Sequence, residues 1–152
     1  MKTIKVLMSS LMIAGLMFTA TSCSDDDEGS ATGGNIQGKW NPTKTIFAAG
    51  EGEIEIDYVN AEPECGDDYL EFGAANATWV EWDRNIDTNA CETQSATPVA
   101  YTKDGNTLTI SGGQYAGTYT ITRLNNSELR VKMTDNTGGT TTTETTYFTS
   151  ID

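Results

Sequence analysis

The chain has 152 residues, with 22 acidic side chains against 9 basic ones, a net charge of −13 and no histidine. That charge argues against a nucleic-acid partner, which needs a basic patch for phosphate; the missing imidazole removes Ser-His-Asp, Cys-His and His-ligated metal chemistry together. Length allows one domain, and 25 threonines, 15 glycines and 10 asparagines tilt the composition toward strands and turns.

Residues 1–22 read as a signal peptide. Lys2 and Lys5 give a positive start, residues 6–18 an apolar run, and Ala20, Thr21 and Ser22 the small residues of a cleavage site. The apolar run is too short to span a bilayer comfortably. Ala20-Thr21-Ser22-Cys23 resembles the bacterial lipobox, although alanine stands where such motifs usually carry leucine. The resemblance implies cleavage before Cys23, attachment of diacylglycerol to its thiol and acylation, such as palmitoylation, of its amine. Buried acyl chains contribute about 0.8 kcal/mol per CH₂, so several make a firm anchor. Ser24, Asp25, Asp26, Asp27 and Glu28 follow directly. One reading is a solvated acidic spacer. The other is an export signal, because surface lipoproteins of Bacteroidota carry a similar run that sends them to the outer face of the outer membrane. Residues 29–35, all small or polar, complete a flexible tether over 23–35. The folded domain is expected over 36–152; it carries 18 acids and 7 bases, so it is acidic in its own right.

From residue 36 onward short alternating runs replace any helical period. A first strand is expected over 39–48. Ile54, Ile56 and Tyr58 alternate with Glu53, Glu55 and Asp57, and Leu70 and Phe72 flank Glu71. In the run 77–83, Val80 and Trp82 are read as inward, and Trp79 as outward beside Glu81 and Asp83. Tyr101 leads into Asp104-Gly105, a strong hairpin signal, and Leu108 and Ile110 follow it. Tyr119 and Ile121 mark the next run, then Leu129, Val131 and Met133. The Thr-rich run 140–151 closes the chain, with Tyr147, Thr149 and Ile151 assigned to one face. Nine runs on short connections predict an all-β, antiparallel up-and-down meander closing into a small barrel of about 8–9 strands; a two-sheet sandwich is the structural alternative. The stretches 60–66 and 84–98 are read as the long linkers.

Cys65 and Cys91 remain after processing. In an oxidising envelope compartment an even pair reads as a disulfide. Without histidine two cysteines cannot complete a usual zinc site or acquire a general base.

Gly38-Lys39-Trp40 opens the first strand. With the meander, the cysteine pair, the hairpin Asp104-Gly105-Asn106-Thr107-Leu108-Thr109 and the late Thr145-Thr146-Tyr147-Phe148, it resembles the lipocalin family, and more narrowly the short lipocalin-like lipoproteins of Bacteroidota. The resemblance implies a barrel with Gly38 and Trp40 at its closed end, the tryptophan packed against a late-strand arginine, for which Arg123 and Arg130 are candidates. It also implies a small apolar ligand in the barrel. The ligand-cavity candidates are Ile54, Ile56, Tyr58, Phe72, Trp82, Tyr101, Tyr119 and Ile121. An eight-stranded barrel is just wide enough to be filled by its side chains or to hold one small ligand, so both stay open. A filled barrel would instead be a surface interaction module meeting protein or glycan through its loops and Trp79.

Asp83, Asn85, Asp87 and Asn89 alternate like calcium ligands, but Thr88 and Gln94 stand where an EF-hand loop needs glycine and glutamate. Paired acids such as Glu53/Glu55 and Asp67/Asp68 need no catalytic explanation on an acidic surface. The expectation is a binding protein and not an enzyme, a monomer with no metal or cofactor, held at the outer membrane and facing the cell exterior.

Overall fold

The computed structural model describes residues 33–151. The expected signal segment 1–22, Cys23 and the acidic run 24–28 lie outside the described residues. Ten strands follow in order: β1 (Gly38–Ala49), β2 (Gly52–Asp57), β3 (Tyr69–Phe72), β4 (Asn76–Arg84), β5 (Cys91–Ser95), β6 (Val99–Asp104), β7 (Thr107–Ile110), β8 (Gly117–Leu124), β9 (Glu128–Asp135) and β10 (Thr142–Ile151). Threonine, valine, isoleucine and aromatic residues suit the pleated surface. The β6–β7 turn reverses through Gly105, whose φ of 56° is costly for a side chain with a Cβ.

Every neighbouring pair is antiparallel, and eight strands form a ring: β1, β3, β4, β6, β7, β8, β9 and β10. The ring closes where β10 pairs back onto β1, from Lys39↔Ile151 to Ala49↔Thr142. Closure removes the sheet edges, which a sandwich would have kept. β2 and β5 stand outside the ring. β1 pairs with β3 over Gly38–Trp40 and with β2 over Lys44–Ala49. Likewise β4 pairs with β6 at Asn76 and Ala77, and with β5 from Val80 to Arg84. Among the described residues, one closed ring and one buried cluster make a single folded unit.

β5 corrects the reading of 84–98 as a linker. Its sequence Cys-Glu-Thr-Gln-Ser has no apolar alternation and every residue is exposed, so no periodic signal marks it. It is held by pairing to β4 and by the Cys65–Cys91 disulfide, which ties it to the loop between β2 and β3. The cysteines are 26 residues apart. Replacing both with alanine is expected to cost about 3.5 kcal/mol by the loop-entropy relation, read as a lower urea midpoint with the β-sheet circular dichroism retained below it.

The interior is packed. Trp40, Leu70, Phe72, Ala77, Leu108, Ile110, Ile121, Leu124, Leu129, Val131 and Phe148 form one buried cluster. At one end Ile36 and the segment before β1 cross the ring, and the Trp40 indole N–H donates to the Ile36 carbonyl at 2.7 Å. Arg123 and Arg130 are engaged elsewhere: both pair with Glu128, and Arg130 lies over the Tyr147 ring. On β10 it is Thr146 and Phe148 that are buried, while Tyr147 faces the opposite side under Lys44 and Arg130.

The phase of β4 is opposite to the sequence expectation. Trp79, opposite Leu70, faces the interior and is 8% exposed. Val80 and Trp82 face outward beneath the disulfide-tied lobe, and a Cβ on Gly66 would meet the Trp82 indole at 2.6 Å. Both faces of β4 are covered, so alternation carries no phase there. Glu81, the apparent marker of the outer face, instead accepts the Trp79 indole N–H at 2.7 Å.

Candidate functional site

The end of the barrel opposite Trp40 is stoppered and then extended. Tyr115, from the loop between β7 and β8, inserts between Trp79 and Phe148, with ring centroids 5.4 and 5.8 Å away. Its carbonyl accepts the Tyr119 hydroxyl at 3.1 Å, which fixes the loop. Tyr58 meets the other edge of Trp79 at 6.2 Å. The Tyr58 hydroxyl donates at 2.6 Å to Asp68, a buried carboxylate whose second oxygen accepts the Trp82 backbone N–H at 2.7 Å. The Asp68 carbonyl accepts the Asn41 amide, also at 2.7 Å. One acid thus joins β1, β4 and the end of β2.

Burial pushes the Tyr115 phenol up to about 12. Burial, then the hydrogen bond to Asp68, raises Tyr58 as well. An unfolded tyrosine ionises near pH 10, so between about 10 and about 12 the unfolded chain loses phenolic protons that the folded one keeps. Stability is therefore full below that window and falls as pH rises through it. Urea midpoints across this range, with Tyr115→Phe as the comparison, are expected to show the fall and its reduction in the variant.

Past this stopper β2, β1, β10 and β9 run on as a curved overhang. Directly opposed residues share a face, so pairing defines its rows. Ile56, Thr45, Thr146 and Val131 form the row nearest the barrel, with the two threonine hydroxyls 3.3 Å apart. Ile54, Phe47, Glu144 and Met133 form the next, and Gly52, Ala49, Thr142 and Asp135 the outermost. Because Thr146 and Val131 are buried, these rows continue the barrel's inner face. The middle and outermost rows line a groove of about 500 Å³ that includes Phe47, Ala49, Ile54, Met133 and Glu144. Its apolar groups are open, with Ile54 64% exposed and Phe47 41%, and Ile56 in the adjoining row is 54% exposed.

The candidates read from the sequence separate accordingly. Ile54 and Ile56 have the expected facing, but stand on the overhang and not in a closed cavity. Phe72, Tyr119 and Ile121 are core. Tyr101 packs edge-on to Phe72 at 4.9 Å and donates to the Gly73 carbonyl. Tyr58 is part of the stopper, and Trp82 lies outside the ring. Trp79 is stacked inside and is not presented to a sugar or a partner surface. The internal space beside Trp79 and Tyr115 is about 60 Å³, too small for an organic ligand. Asn85 spends its side-chain oxygen on the backbone N–H groups of Asp87 and Thr88, closing a local turn. Glu55 pairs with Lys44 at 2.9 Å.

Sequence reasoning missed Phe47, Tyr115 and Glu144. Two signals were present. Tyr115 is the one large side chain in the loop 111–116, and Glu144 is the one charged residue in the run 140–149.

Among known proteins, the family model of the lipocalin-like domain matches residues 36–131, from the segment before β1 into β9. β10, which closes the ring, lies beyond the matched residues. No curated protein and no solved structure matches the chain. An antiparallel barrel of eight strands with Gly38 and Trp40 at its closed end, matched by that model over more than half its length, places the chain in the lipocalin-like domain family.

Proposed function

We propose that this protein is a lipid-anchored binding protein of the outer membrane that faces the cell exterior and holds a small apolar ligand. The ligand lies in the groove beyond the stopper, not inside the barrel. One observation carries this reading: Phe47, Ile54 and Ile56 are exposed together on one face, above a barrel whose space beside Trp79 and Tyr115 is only about 60 Å³. Exposed apolar surface of this kind marks binding grooves. The anchor rests on the lipobox-like Ala20-Thr21-Ser22-Cys23, and the outward placement on the acids from Asp25 to Glu28. The protein works as a monomer, because Glu53, Glu55 and Asp57 on β2 would face like charges in a second copy. Binding, not catalysis, is its role: the acid pairs are engaged structurally at Glu55 and Asp68.

The test is fluorescence of the neutral apolar dye N-phenylnaphthylamine with residues 33–152. Saturable enhancement is expected, and Phe47→Ser with Ile54→Ser should weaken binding about tenfold or more, since each buried apolar side chain contributes about 1.5–3 kcal/mol. Unchanged binding in that variant would remove the groove from consideration. For the anchor, Cys23→Ser should abolish incorporation of labelled palmitate and release the protein from the membrane fraction. For outward placement, alanines at Asp25, Asp26, Asp27 and Glu28 should protect the protein from protease added to intact cells.

A further inference from the structure

The middle row of the groove is apolar except for one residue. Ile54, Phe47, Glu144 and Met133 follow one another across four strands, so Glu144 is flanked on its own face by an aromatic ring and a thioether. Glu144 as a residue is half-buried. It lies close enough to Tyr115 and Tyr119 for its charge to help keep both phenols protonated. Among the described residues the ion pairs of the glutamates use Glu55, Glu62, Glu64 and Glu128, and Glu144 forms none. Among the described residues the other charged ones lining the groove are Glu53 and Asp135, and no lysine or arginine lines it. The nearby cations are committed to the opposite face: Lys44 and Arg130 lie over Tyr147, and Lys132 stands opposite Thr145.

A carboxylate flanked by apolar side chains favours a cation that can pair with it. Among the described residues none supplies such a partner in the groove. An apolar ligand carrying an anionic head, such as a fatty acid, would add a second negative charge. A ligand with an apolar body and a cationic head would satisfy both features at once. Its hydrocarbon would lie along Ile54, Phe47 and Met133, and its ammonium would rest at Glu144 with the Phe47 ring beside it, where a cation is also favoured.

We propose that the groove selects small cationic amphiphiles, with Glu144 as the residue that reads the charge. This rests on the reading of the groove as an apolar ligand site. The test separates the two. Decyltrimethylammonium, decanoate and decanol, each below micelle formation, compete with bound N-phenylnaphthylamine on residues 33–152. The ammonium is expected to displace the dye about tenfold more effectively than decanoate at low salt, a preference that shrinks as salt rises. Glu144→Gln should erase the preference while decanol competes as before, and Glu144→Lys should turn it toward decanoate. Unchanged urea midpoints would show that the variants remain folded. Equal competition by all three would overturn the charge selection and leave the apolar groove standing. A preference that survives Glu144→Gln would belong to the domain's overall negative charge and would also overturn it. Failure of all three to compete would overturn both readings. A mass that rises with concentration, and no longer does so in Phe47→Ser, would make the face a contact between copies and end the proposal.

Discussion

Trp40→Ala is expected to cost about 3–5 kcal/mol, the range for truncating a buried aromatic residue. Domains of this size have about 5–15 kcal/mol to lose, so the variant should unfold at a much lower urea concentration. Three observations set the size of the effect. Trp40 is 2% exposed, its indole N–H is held by the Ile36 carbonyl, and it sits where Ile36 crosses the end of the ring. Alanine would open a cavity at that end and free the segment before β1, since the indole is what that carbonyl receives. Trp40→Phe keeps much of the apolar volume and loses the hydrogen bond, so it should fall between wild type and alanine. The groove lies at the opposite end, and dye binding at low denaturant should be unchanged in both. Loss of dye binding in Trp40→Phe at full folding would contradict this separation.

Asp68→Ala should be of similar size for a different reason. The carboxylate is 4% exposed and accepts the Tyr58 hydroxyl and the Trp82 backbone N–H. A hydrogen bond to a charged group contributes about 1.5–3 kcal/mol, and donors left buried without a partner add their own cost. A loss of about 3–5 kcal/mol follows. Asp68→Asn has the same shape and retains an acceptor, so it should lose about half as much. Tyr58→Phe removes one of the two donors. In the double variant the losses should therefore sum to less than the singles, and strict additivity would show that the hydroxyl and carboxylate do not act together. The effect should also reach the stopper, because Tyr58 meets Trp79 and Trp79 meets Tyr115.

The strands with one covered face were legible in the sequence. Leu108 and Ile110, Leu129 and Val131, and the Asp104-Gly105 turn stand where the alternation puts them. The disulfide was legible too, from the cysteine count under the expectation of an oxidising compartment. Legibility failed wherever a strand is covered on both faces or on neither. β4 has buried side chains facing both ways, and its one clear acid, Glu81, reaches back to Trp79. β5 is exposed throughout and is defined by what it pairs with. The groove failed for a related reason. Ile54 and Ile56 alternate like core residues, but whether an inward face meets other side chains or solvent depends on where the ring ends. That is decided by the split of β1 between β3 and β2, which no local pattern records. A filled barrel could not be told from a hollow one because the strand residues that pack it are closed over at one end by a loop residue, Tyr115.

Lys39 stands opposite Ile151, so the chain enters and leaves the barrel side by side at the end that Trp40 covers. The groove lies at the other end of the same two strands. At about 3.3 Å per residue, the stretch from Trp40 to Ala49 carries it roughly 30 Å away. Whatever is attached through either end of this domain, a lipid leaflet, a resin or a fused protein, therefore becomes the floor beneath a pedestal. The groove lies on the side of the domain away from the attachment, whichever terminus carries it.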